Sequence, residues 1–251
     1  MQYPTHQVTV ETWPRPLTIP ERYVTTEQSL LAKVLRPAKT PYLAADRPLQ
    51  AHETTHLVQA EFRVAHSLVF RRPILAFWDG HQIKTVDDPG VKRDAVVRQI
   101  PETLRGHRFP LYFEQASTDW EGNAANILDE FSAYLCQLRV ADDDFKHARD
   151  VPAHDHAGAV AEFSIYLLAY CKAFEETDPD GWARSDAFRG VVVCWLAEAR
   201  RLYLAHHYRW NHAETPGLVD QLRHSNEAAG LRSWIVTRGI GSEWLAPGVR
   251  P

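Results

Sequence analysis

Cysteine is scarce: three residues in a chain of 251, standing far apart at Cys136, Cys171 and Cys194. An odd count with no CxxC pair argues against a disulfide framework and against a thiolate zinc site. Each cysteine falls inside an apolar helical pattern, so buried free thiols in a reducing compartment are expected. No apolar run approaches the roughly 18 residues of a membrane span. The opening Met1-Gln2-Tyr3-Pro4-Thr5-His6 has neither the basic stretch nor the apolar core of a secretory leader. A cytoplasmic protein with no membrane partner is therefore expected. An excess of positive charge is missing as well. Lys and Arg number 28 against 32 Asp and Glu, the net charge is -4, and the longest like-charge block is Asp142-Asp143-Asp144. This excludes the clustered basic face that a nucleic-acid partner requires. Internal repeats and low-complexity segments are absent too.

What is present fits an ordinary globular chain, 45% hydrophobic and 24% charged. The length suits a single domain spanning residues 1–251. Residues 1–45 are rich in proline (Pro4, Pro14, Pro16, Pro20, Pro37, Pro41) and are expected as extended chain packed on the body, with one short helix over Thr26–Leu35. Asp46 offers an N-cap and Pro48 sits in the first turn, where its missing N–H costs nothing. The helix they open is expected to run to about Ser67. Ile74–Trp78 and His81–Val86 flank Asp79-Gly80, a hairpin signal because the turn needs positive φ. A helix around Val91–Ile100 and a strand-like Pro110–Phe113 follow. Beyond Asn123 the spacing predicts helices over Ala124–Val140, Gly158–Glu176, Asp186–Tyr208 and Pro216–Ala229, with a short one near Ser233. The expected class is α+β, predominantly helical, with a small sheet beside the first long helix.

Histidine is in excess at thirteen, and one pair has ligand spacing. His52-Glu53-Thr54-Thr55-His56 is an HExxH motif, and on a helix residues i and i+4 share one face, so both imidazoles can reach one metal ion. Neutral imidazole suits zinc, which in catalytic sites keeps three protein ligands and an open position for water. Glu53 projects near that water and would serve as general base, zinc lowering the water's pKa to about 7. At 100° per residue His52, Glu53 and His56 share an arc with Leu49, Leu57, Ala60 and Val64, where unpaired polar groups would be costly. For a third ligand the helix around Asn126–Leu135 offers Glu130, beside the apolar arc of Ile127, Phe131, Leu135 and Leu138. Its alternative is a salt bridge to a core arginine such as Arg63. Rival ligands are Glu114, Glu162, His154 and His156. Tyr134, one turn from Glu130, is either a donor to a reacting oxyanion or a packed tyrosine. His154-Asp155-His156 and His206–His212 are explained by capping, solvation or a helix C-terminus, although a histidine of either group could reach the zinc site.

The segments His52–Gln59 and Asp129–Tyr134 resemble those of the gluzincin metallopeptidases, and the resemblance covers residues 46–138. It implies a zincin-like fold in which a small sheet lies over the first helix and an edge strand holds an extended substrate. It also implies Zn2+ on His52, His56 and Glu130, with Glu53 as base. The chain departs from related clans in having no glycine or third histidine at the metzincin spacing, and Tyr134 where thermolysin-like enzymes carry a second carboxylate. The function implied is a zinc-dependent hydrolase, a metallopeptidase acting on a peptide or amide substrate. The alternatives are a catalytically inactive zincin scaffold that binds a partner, and an oxygenase on a His-His-Glu triad.

Overall fold

The computed structural model describes residues 7–10, 17–20, 46–53, 55–56, 59, 74–78, 83–114, 124–149, 151, 154–209 and 216–247. Two compact units divide the chain, Met1–Asp88 with Ser132–Pro152 and Pro89–Phe131 with Ala153–Pro251. The expected short helix over Thr26–Leu35, the Asp79-Gly80 turn and the extension of the histidine helix to Ser67 lie outside the described residues.

In the first unit strand β1 (Gln7–Val10) pairs antiparallel with β2 (Leu17–Pro20). Strand β3 (Ile74–Trp78) pairs antiparallel with β4 (Ile83–Asp87), in a register running from Ile74 opposite Asp87 to Trp78 opposite Ile83. Helix α1 carries residues 47–53, 55–56 and 59. It starts where its sequence says it should: the Asp46 carboxylate accepts from the Leu49 N–H at 2.9 Å, filling one of the donors left open at a helix start. Pro48 follows in the first turn. The unit also holds most of helix α3 (Asn126–Lys146), the boundary between the units falling inside that continuous helix. The acidic block at its end is neutralised locally. Asp142 pairs with Lys146 at 2.6 Å, and Asp143 and Asp144 both pair with Arg149 at 2.6 Å. The hydrogen bond from Arg149 holds the Asp143 carboxyl below the usual carboxylate range.

The second unit is built around helix α4 (His156–Thr177), which is buried along nearly its whole length. It is long and apolar enough to cross a membrane by composition, which no apolar run in the sequence suggested, yet almost all of it is covered by protein. A helix apolar all round belongs in a core. Around it pack α2 (Arg93–Val97), α5 (Pro179–Ala183), α6 (Asp186–His206), α7 (Pro216–His224) and α8 (Ala229–Arg238). Cys136 and Cys171 are buried as expected, and burial pushes the Cys171 thiol up; Cys194, by contrast, is exposed. The strand-like Pro110–Phe113 is instead part of a π-helical turn, Pro110–Glu114. The cause is tertiary: Phe109 and Phe113 stack at 4.8 Å between centroids, a pairing that needs a helical turn, and Phe113 meets Tyr166 of α4.

The segment before this turn is fastened to α4 by a buried ionic network. The Arg108 guanidinium reaches Asp155 at 3.0 Å and Glu162 at 3.1 Å, and the Arg108 N–H donates to Glu162 at 2.9 Å. The Tyr166 hydroxyl donates to the same carboxylate at 2.7 Å and accepts from the Gly106 N–H at 3.2 Å. Burial and then the Glu162 charge push the Tyr166 phenol far above its ordinary range, so it stays a donor. Gly106 is required by close approach, because a Cβ there would come within 2.4 Å of the Glu162 carboxyl carbon.

The expected zincin-like α+β fold is corrected by these elements. Among the described residues the strands form only two separate two-stranded hairpins, and everything else regular is helical. No multi-stranded sheet with an edge beside the histidine helix is built from them. Strand pairing over long sequence separations leaves little trace in local periodicity, and a hairpin signal alone does not specify a larger sheet.

Glu162 is fully buried and Asp155 nearly so. Removing their cation in Arg108→Met is expected to lower stability by about 3–5 kcal/mol, the cost of stranding a buried charge. Urea denaturation measures it; a loss below about 1 kcal/mol would show that the network is not a stabilising contact.

Candidate metal centre

The centre is set by the packing of α1 on α3, two helices running in opposite directions. Arg47 near the start of α1 pairs with Asp144 near the end of α3. Further along, the His52 ring meets Tyr134 edge-on at 4.5 Å between centroids. At the far end Ser132 donates to the Gln59 side-chain carbonyl at 2.8 Å, both residues being fully buried. The buried residues of α1 are Pro48, Gln50, Ala51, His52, Thr55 and Gln59; all but Gln50 are spaced three and four residues apart, as one helical face requires. Thr55 sits in that interface because its hydroxyl is satisfied by the Ala51 carbonyl at 2.7 Å.

This packing brings His52, His56 and Glu130 together, the three residues expected as metal ligands. One ligand atom from each lies within 4.8 Å of the others, with His52 buried and His56 and Glu130 half-buried. The two Nε2 atoms are 3.1 Å apart. Two nitrogens bound to one tetrahedral ion at about 2.0–2.1 Å would be separated by roughly 3.3 Å. The i, i+4 imidazoles thus already have the spacing that a shared cation demands. Glu130 stands on α3 one turn ahead of Tyr134, and its carboxylate accepts from the Tyr112 hydroxyl at 3.1 Å. The group can hold a metal ion.

The other expected site residues fall differently. Glu53, roughly 100° further round the helix than His52, is exposed rather than on the apolar arc. The stripe that α3 covers is centred on the other side of His52, which leaves Glu53 on the solvent side. Tyr134 is half-buried with its ring against His52. The rivals for the third position are elsewhere: Glu114 is exposed, Glu162 belongs to the Arg108 network, and the rings of His154 and His156 face each other at 5.5 Å. Asp155 stands at the N-cap position of α4, but its carboxylate is engaged by Arg108 and makes no cap bond. His206 is buried, the Nδ1 of His207 lies 3.2 Å from the Tyr203 carbonyl, and His212 lies outside the described residues. Three participants went unrecognised in the sequence. Gln59 and Ser132 clamp the helix pair; Gln59 lies seven residues after His52, a spacing that marks the same face. Tyr112 had no periodic signal at all.

The resemblance to gluzincins does not survive this architecture. It required a sheet whose edge would hold an extended peptide beside the metal, by strand addition. The described residues provide a helix pair instead, with strands confined to two hairpins. Metallopeptidase or other zinc-hydrolase activity, and the inactive zincin scaffold offered as its alternative, are withdrawn with that fold, and no catalytic step is assigned to Glu53 or Tyr134. No family model matches the sequence, no curated protein matches it, and no solved structure matches the chain.

Ser132→Ala removes the buried hydrogen bond to Gln59 and is expected to cost about 1 kcal/mol. Urea unfolding of the metal-free protein checks this. An unchanged midpoint would mean that the contact does not clamp α1 to α3.

Proposed function

We propose that this protein is a metal-binding protein that holds one zinc ion on His52, His56 and Glu130. The observation that carries the proposal is the convergence of two imidazoles and one carboxylate, with the two Nε2 atoms 3.1 Å apart on successive turns of one helix. Two neutral nitrogen donors and one oxygen donor form a borderline set that suits zinc, while calcium and magnesium prefer oxygen alone. Thiolate ligands are not involved, since the cluster contains no cysteine. One carboxylate leaves a divalent ion with a net positive charge, and three protein ligands leave a coordination position for water or a small anion. The helical setting supports the proposal energetically. Ligands fixed on two packed helices lose little freedom on binding, so an ion that bridges them stabilises the folded chain by linkage.

Metal analysis of protein purified without added metal, repeated after reconstitution with Zn2+ and removal of the excess, tests the proposal. The wild type is expected to hold about one zinc per chain. His52→Ala and His56→Ala are each expected to lose it, whereas Glu53→Gln, altered at an exposed position outside the cluster, should retain it. One zinc per chain in both histidine variants would overturn the site. Iron in place of zinc would keep the site and overturn the choice of metal.

A further inference from the structure

We infer that Tyr112 is a positioning residue of this centre, holding the Glu130 carboxylate in place for the cation. The inference rests on the metal reading above and adds the residue that orients its only anionic ligand. The Tyr112 hydroxyl donates to Oε2 of Glu130 at 3.1 Å. That hydrogen bond fixes the orientation of the carboxylate beside the two imidazoles. A neutral phenol suits this role better than a lysine or arginine would. It fixes the carboxylate through a hydrogen bond without placing a second positive charge beside a divalent cation.

Tyr112 is itself held at two points besides Glu130. Its ring meets Phe163 of α4 edge-on at 5.0 Å. Its N–H donates to the Arg108 carbonyl at 3.1 Å, and Arg108 is locked by Asp155 and Glu162. The residue stands in the π-helical turn Pro110–Glu114, a geometry that appears mostly in single turns and frequently at functional sites. The buried network that anchors this turn to α4 thereby extends, through Tyr112, to the ligand on α3. Groups that hydrogen-bond a metal's ligands commonly govern affinity by 10–100-fold when removed.

The test is a double-mutant cycle read by zinc affinity, using Zn2+ and a competing chromophoric chelator on the full chain. Tyr112→Phe removes one oxygen and keeps the ring against Phe163. It is expected to weaken zinc binding by about 10–100-fold, to lower the urea midpoint of the metal-free protein only slightly, by the loss of one half-buried hydrogen bond, and to shift the visible bands of the Co2+-loaded form. In a Glu130→Ala background the same substitution should have no further effect on affinity, because the group it positions is gone. Wild-type affinity in Tyr112→Phe would overturn the inference while leaving the metal site in place. An equal loss in both backgrounds would also overturn it, since Tyr112 would then act through something other than Glu130. A wild type that binds no zinc would overturn the metal reading itself, and the inference with it.

Discussion

The contact between α1 and α3 is the constraint on which the candidate site depends. Its two ends are polar, and His52 and His56 stand between them. Asp144 is almost completely buried, so its pairing with Arg47 and Arg149 is a condition of the helix ending where it does. Buried Gln59 and Ser132 satisfy each other at the other end. Between those fixed points α1 has little freedom to rotate, and His52 is turned inward against Tyr134. A rotation of α1 by one residue would move His52 off the stripe, separate Gln59 from Ser132, and dissolve the cluster.

A second anchoring principle operates in the unit around α4. That helix is apolar along most of its length, yet it carries Glu162 fully buried in its first half. A carboxylate in such a place is tolerable only when cations and donors surround it. Arg108, Tyr166 and the Arg108 backbone amide supply them. The chain before the π-helical turn is drawn onto α4 as a result, which is why Gly106 must lack a side chain and why Tyr112 comes to face Glu130. A buried charge thus sets the position of a loop, and the loop sets the surroundings of Glu130.

Local features of this chain were legible and non-local ones were not. The start of α1 was readable because an aspartate cap and a first-turn proline act within one turn. Helices α3, α4, α6, α7 and α8 were readable from their 3.6-residue spacing, although α3 runs on from the expected Val140 to Lys146 and α7 stops at His224, while the short α5 was not foreseen. That His52, His56 and Glu130 come together was readable, because one helix fixes the relation of the two histidines and an acid beside an apolar arc needs a partner. Exposure of Glu53 was not readable, since the stripe of α1 that is covered depends on where α3 lies. Neither was the extent of β-structure: a hairpin announces itself in sequence, but the sheet it would join does not. Tyr112 was misread as strand because the aromatic stacking of Phe109 on Phe113 and the packing onto Tyr166 decide that segment.

Two imidazoles of one helix and a carboxylate of another are proposed to share a zinc ion. X-ray absorption at the zinc edge of the loaded full-length chain tests it most directly. A first shell of nitrogen and oxygen at about 2.0–2.1 Å is expected, with outer-shell scattering from two imidazole rings and no sulfur. A sulfur shell at about 2.3 Å, or a first shell without imidazole scattering, would contradict it.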